Sequence, residues 1–331
     1  MDTSPRRSSS VFKLVTLFVL SAVFIWLFVA RQDVMDWVKL RSYTPSSQIA
    51  SINDTIGLTE YGQKLFYVNH PEVDTDRSVF AQRCPVDVEK TIVLGCYLSG
   101  DNGIYLFDPA DERLDGVTEA TAAHEMLHAA YDRLPNKERQ RIDGLLNDFY
   151  KTQLHDERIK KTIASYKKAN APLSNEMHSI FGTEVQNLSP ELEAYYTQYF
   201  SDRKLVLAQL ARYQEEFSKR EAQVAAYDAQ LAVQKPQIEQ LEVSIKANLS
   251  RLDSVQDQLT SYQAANKTQA YNALVPRYND LVNTYNSQLD SLKALTKSYN
   301  EIVDLRNSLA LEEATLLESL SGDEQSEVDS L

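Results

Sequence analysis

The chain has 331 residues, with 34 Lys and Arg against 47 Asp and Glu and a net charge of −13. That acidity, with no basic run longer than a pair such as Arg6-Arg7, Lys160-Lys161 or Lys167-Lys168, argues against a nucleic-acid partner, because phosphate contacts need clustered cations. Two cysteines exclude a disulfide-built scaffold, and 43% hydrophobic against 24% charged residues exclude a wholly disordered chain. All nine glycines fall in two places, eight between Gly57 and Gly182 and one at Gly322, so the 139 residues between carry none. Such a gap predicts a long helical region.

Residues 14–30, LVTLFVLSAVFIWLFVA, form seventeen positions without a charge and predict a transmembrane anchor. A cleaved signal peptide is the competing reading, weakened by Phe28 where processing at Ala30 wants a small side chain. Arg6, Arg7 and Lys13 before the span balance Arg31, Lys39 and Arg41 after it, so counting positive charges gives no orientation. The short basic tail of residues 1–13 and the cysteine pair downstream favour the N-terminus inside. The expectation is a single-pass cell-membrane protein with its domain outside the cytoplasm, joined by a juxtamembrane linker over residues 31–57.

A folded domain is expected over residues 58–202. The β-rich runs TIVLGCYL at 91–98 and IYLF at 104–107 predict a hairpin across a five-residue loop. In an exported domain Cys84 and Cys96 are expected to pair, closing a short loop worth about 2 to 3 kcal/mol. Helices are predicted over residues 117–134 and 137–154, from Ser174-Asn175-Glu176, and from Ser189-Pro190-Glu191, a cap followed by proline.

Residues 203–321 change to heptads. Leu210, Phe217, Val224, Leu231, Ile238, Ile245, Leu252 and Leu259 recur every seven residues, and a second frame runs Tyr271, Tyr278, Tyr285, Leu292, Tyr299. The nine-residue step from Tyr262 to Tyr271 breaks the phase and predicts two arms folding back as an antiparallel coiled coil. Arg220, Gln234 and Asn248 on the first seam and Gln288 on the second would fix register, and Pro236 would kink the first arm. A parallel dimer of whole chains competes with the hairpin, and the seam offers a surface for self-association or a protein partner. The acidic tail, 322–331, is expected to be loose.

Within the helix from Val117 stands His124-Glu125-Met126-Leu127-His128. Two histidines four apart share a helix face and can hold one Zn²⁺, with Glu125 beside the first as general base. In a chain with five histidines this pattern arises by chance in on the order of one in a hundred sequences. The strand at 104–107 is expected as an edge lying along the cleft, where an extended peptide would pair with it.

These residues resemble the zincin metallopeptidases. The metzincin extension is absent, because Tyr131 and Leu134 stand where it has Gly and His. The resemblance to gluzincins implies a third ligand from an Asn-Glu pair on a later helix, which makes Glu176 the first choice, with His178 and Glu184 as alternatives. Glu184 sits in Gly182-Thr183-Glu184-Val185, similar to an aspzincin element but with Val185 in place of its aspartate. The same resemblance implies a histidine or tyrosine that stabilises the oxyanion, a role open to His178 and to Tyr195, Tyr196 or Tyr199. Asp132, one turn past His128, is expected to orient a ligand histidine or to form a surface ion pair. His70 and His155 have no metal spacing and are expected to be ordinary exposed residues. HEMLHAAYDRL with NEMHSIFGTE also resembles a group of bacterial membrane-anchored proteins.

The fold class implied is an α+β zincin-like domain, a small sheet plus helices, between a transmembrane helix and a C-terminal antiparallel coiled coil. The function implied is a zinc metallopeptidase acting on a peptide or protein substrate. A non-catalytic, membrane-tethered coiled-coil scaffold with a structural zinc site is the alternative.

Overall fold

The computed structural model describes residues 8–85, 93–99, 103–109, 111–168 and 171–321. The tail at 322–331, most of the basic segment before the apolar run, residues 91–92 of the first expected strand and 100–102 of its loop lie outside them. In chain order the helices are α1 (Ser8–Val29), α2 (Arg31–Ser42), α3 (Ser47–Thr55) and α4 (Glu60–Tyr67). Strand β1 (Glu72–Asp74), α5 (Arg77–Arg83), β2 (Gly95–Leu98) and β3 (Gly103–Phe107) follow. Then come α6 (Val117–Asp132), α7 (Asn136–Thr152), α8 (Glu157–Lys168), α9 (Leu173–Glu184) and α10 (Pro190–Tyr196). The chain closes with α11 (Lys204–Ala264) and α12 (Thr268–Ser321).

Three expectations are corrected. The α+β description gives way to a mainly helical chain, 79% helix, whose sheet has strands of only three, four and five residues. Second, among the described residues no helix is long and apolar enough to cross a membrane, which overturns the anchor at 14–30, the single-pass placement and the orientation built on it. The run was marginal from the start: seventeen residues at about 1.5 Å rise span about 26 Å, short of a core about 30 Å thick. Third, residues 31–57 carry two helices, α2 and α3, on either side of a non-helical stretch at 43–46. Ser46 caps α3 by accepting from the Ile49 N–H at 3.2 Å, and Ile49, Ile52 and Ile56 enter the core. Asp36 of α2 is 2% exposed and accepts from Arg133 at 2.9 Å, with Lys64 at 3.3 Å.

The described residues divide into two units, one comprising residues up to 214 with those from 319, the other Glu215–Glu318. In the first, the sheet order is β1-β3-β2, with β1 parallel and β2 antiparallel to β3. The strand expected at the edge is therefore the central one, and β2 is the edge that lies over α6. Helix α6 is the hub, packed against β2, β3, α3, α4 and α9. Its small residues Ala122, Ala123, Ala129 and Ala130 are fully buried and admit close neighbours. At Gly182 of α9 an added Cβ would collide with Leu127 of α6 and with Tyr196.

The first turns of α11 brace this core. Arg203, 7% exposed, donates to the carbonyls of Val185 at 2.7 Å and Gln186 at 3.1 Å just past α9, and pairs with Glu193. At the other end of the site Gly116 precedes α6 with φ +95, and a Cβ there would strike the Gln209 backbone.

In the second unit α11 and α12 run antiparallel around the turn at Ala265–Lys267. Helix α11 continues through Pro236. The polar seam residues meet across the arms: Asn248 donates to Gln288 at 2.6 Å, Gln234 to Ser298 at 3.2 Å, and Arg220 faces Glu312 at 3.7 Å.

Gly116→Ala combines a left-handed φ with a backbone collision and should lower stability by about 1 to 3 kcal/mol. Gly144→Ala, in the middle of α7 with open space around it, should raise stability by about 0.5 to 1 kcal/mol. Urea denaturation of the two full-chain variants beside wild type measures both.

Candidate metal centre

His124 and His128 project from one face of α6, their ring centroids 4.8 Å apart, and the first turns of α9 bring Glu176 opposite them. One ligand atom from each of the three residues lies within 4.8 Å of the others. His128 Nε2 and Glu176 Oε2 are 3.8 Å apart. Two ligand atoms sharing a tetrahedral Zn²⁺ at bonds of about 2.0 to 2.1 Å are separated by about 3.4 Å, so little movement closes the site.

Neighbours orient the ligands. The Asn175 side-chain oxygen lies 3.0 Å from His128 Nδ1, which places the proton on Nδ1 and leaves the Nε2 lone pair facing Glu176. Thr183 donates its hydroxyl to the Ser179 carbonyl at 2.8 Å, so its oxygen is free to accept from His124 Nδ1 at 3.5 Å. Both imidazoles thus present the nitrogen that coordination needs. Burial holds them neutral: the His124 pKa falls well below 6.5, with the charges of His128 and His178 adding to the effect, and that of His128 falls to about 4.

Glu125 is 7% exposed and turned from the ligand set toward β2, whose Tyr97 N–H donates to its carboxylate. Gly95 makes room for it: a Cβ there would stand 3.0 Å from Glu125 Cγ and crowd Thr121. Burial and then the Glu176 charge push the Glu125 carboxyl up to about 8. The Tyr97 hydroxyl pairs with Asp132, and burial followed by that carboxylate raises its pKa to about 12. Asp132 thus holds the edge strand, neither orienting a ligand histidine nor forming a surface ion pair.

Several expected roles are corrected. His178 of α9 is fully buried against α6, its Nε2 2.8 Å from the Tyr195 hydroxyl and its ring among Tyr131, Tyr195, Tyr196 and Tyr199. Two residues turn a helix by about 200°, and His178 stands outside the cluster that Glu176 joins. The three tyrosines belong to the same packed cluster; Tyr195 bonds Tyr199 at 3.0 Å and Tyr196 donates to the His178 carbonyl. Glu184 is taken by Arg158 at 2.7 Å and stands outside the ligand cluster. His70 is partly buried, stacked on Tyr43 with Nε2 3.1 Å from the Lys39 carbonyl, whereas His155 is exposed. Cys84 and Cys96 form a disulfide with Cα atoms 6.0 Å apart.

Asn175, Thr183, Tyr97 and Gly95 were not singled out in the sequence. The amide beside Glu176 and the glycine inside a β-rich run were available signals; the other two depend on tertiary placement. Compared with protein-family models, curated proteins and solved structures, the chain gives no match.

Replacing Asn175 by Ala should weaken zinc affinity about 10- to 100-fold, measured by competition with a chromophoric chelator. A second expectation concerns pH in the metal-free chain. Burial lowers the imidazoles of His124, His128 and His178, so below about pH 6.5 the unfolded chain binds protons that the fold refuses, and stability falls toward pH 4. Glu125 opposes this: its raised pKa gives stability present below about 4.5 and lost as the pH rises through about 8. Glu125→Gln should therefore steepen the fall in melting temperature between pH 6.5 and 4.5.

Proposed function

We propose that the protein is a zinc-dependent peptidase, with His124, His128 and Glu176 as the metal ligands and Glu125 as the general base. One observation carries the reading: beside a three-residue ligand set stands a buried carboxyl that the set does not include, held by the backbone of an edge strand. A purely structural zinc site takes four protein ligands and has no use for that group. His178, the residue best placed in sequence to supply a fourth ligand, is turned into the tyrosine cluster.

Bound by these three residues, Zn²⁺ supplies Lewis acidity, bringing water toward a pKa of about 7 and polarising a carbonyl. Glu125 takes the proton of the attacking water and returns it to the leaving amine. Its place beside the ligand set but outside it suits both halves of that task. The Tyr97 N–H fixes one carboxylate oxygen, leaving the other for the proton transfer. Among the described residues β2 pairs only with β3; on its outer edge the Tyr97 N–H is spent on Glu125, which leaves the Gly95 main chain and the Tyr97 carbonyl to meet an extended peptide.

The zinc content of the purified full chain, read beside hydrolysis of a fluorogenic peptide library, tests this. Wild type should hold one zinc per chain and Glu176→Ala should lose it. Glu125→Gln should keep the metal while turnover falls by about 10² to 10⁴. Undiminished turnover in Glu125→Gln would refute the assignment.

A further inference from the structure

Edge strand β2 carries the Glu125 partner, yet it is four residues long and is paired on one side only. What fixes it lies on the opposite face of the sheet. Gly95 and Tyr97 point toward α6, where they meet Glu125, Thr121 and Asp132, while Cys96 between them points the other way and is bonded to Cys84. Cys84 ends α5, and the same helix reaches β2 a second time: Arg77 donates to the Val93 carbonyl at 2.6 Å, two residues before the strand begins. The Arg77 guanidinium is itself held over the rings of Phe80 and Phe107, at 5.1 and 5.0 Å. At its far end α5 is tied to β1 by Arg83, which pairs with Glu72 at 2.5 Å and Asp74 at 3.2 Å. Helix α5 therefore spans the sheet from one edge to the other.

Building on the peptidase reading, we infer that α5 is a clamp that positions the general base, with Cys84–Cys96 and Arg77 holding β2 so that the Tyr97 N–H stays on Glu125. None of the clamp residues touches the ligand set, and none is needed to bind zinc. Cys84, Cys96 and Arg77 are positioning residues that act through the strand. Loss of the clamp leaves β2 attached by its short ladder to β3 and by its packing on α6 through Gly95 and Tyr97, with nothing holding its other face.

The test uses the zinc-loaded full chain, as wild type, as the Cys84→Ser/Cys96→Ser double variant and as Arg77→Gln. Three quantities are read: zinc per chain, amide hydrogen exchange at Tyr97 against the amides of α6, and kcat on the fluorogenic peptide. The double variant should keep its zinc and the protection of α6, exchange the Tyr97 amide about tenfold faster or more, and lose on the order of tenfold in kcat. Arg77→Gln, with the disulfide intact, should show the same pattern at smaller amplitude, and it decides the matter if the double variant does not fold. Unchanged exchange at Tyr97 in a folded variant overturns the clamp. Loss of zinc together with α6 protection also overturns it, because the cross-link then serves general stability. Wild type that hydrolyses no peptide would defeat the peptidase reading, whereas Tyr97 exchange would still answer for the clamp.

Discussion

The contact between α9 and α6 at Gly182 sets the distance on which the metal centre depends. A side chain at that position would collide with Leu127 and Tyr196, which would have to give way or let α9 shift. Glu176 lies six residues earlier on the same helix, so such a displacement would be carried along the helix and would open the gap to His128. The alanines of α6 serve the same end from the other side, since larger residues there would hold the two helices apart. Close packing of this kind transmits small changes in volume, because protein interiors have few voids to absorb them.

Around that contact the chain concentrates groups that a helical core would ordinarily exclude. Two candidate ligand histidines, a buried glutamic acid and a buried third histidine stand within a few turns of one another. They are tolerated because each is held uncharged or directed at a partner: Asn175 and Thr183 for the ligands, the Tyr97 amide for Glu125 and Tyr195 for His178. The tyrosine cluster illustrates the principle, for the Tyr195 hydroxyl meets both Tyr199 and the Nε2 of His178. A divalent cation between the histidines and Glu176 would bring the charge that these arrangements otherwise avoid.

The cluster of His124, His128 and Glu176 was legible because spacing on a helix is local information. His124, Glu125 and His128 are fixed relative to each other once α6 forms, and the Asn-Glu pair pointed to Glu176 at a separation of 48 residues. The heptads of α11 and α12 were legible for the same reason, with Leu252, Leu259, Ile302 and Leu316 all buried on the seam. What failed depended on partners far away in sequence. Helices α2 to α5 and α8 are short and draw their stability from tertiary contacts, α3 and α4 on α6, α5 on the sheet and α8 on α9, so residues 31–57 resembled a linker. Which strand forms the sheet edge is a question of pairing order, and a hairpin reading could not see β1 arriving from Glu72–Asp74 to occupy one side of β3. A seventeen-residue apolar run lies close to the length at which hydropathy stops discriminating.

The amide pair Asn248–Gln288 bears on how the long hairpin finds its alignment. Heptads of similar residues permit slippage: sliding one arm by seven positions exchanges one apolar layer for another at little cost. Such a slip would set Asn248, 6% exposed, opposite Leu281 or Leu295 in place of Gln288. The stranded amide would cost about 1 to 3 kcal/mol, enough to make the shifted alignments minor species. A polar contact of small net worth in the native hairpin thus acts as a proofreading element, selecting among near-degenerate pairings that hydrophobic burial alone would leave in competition.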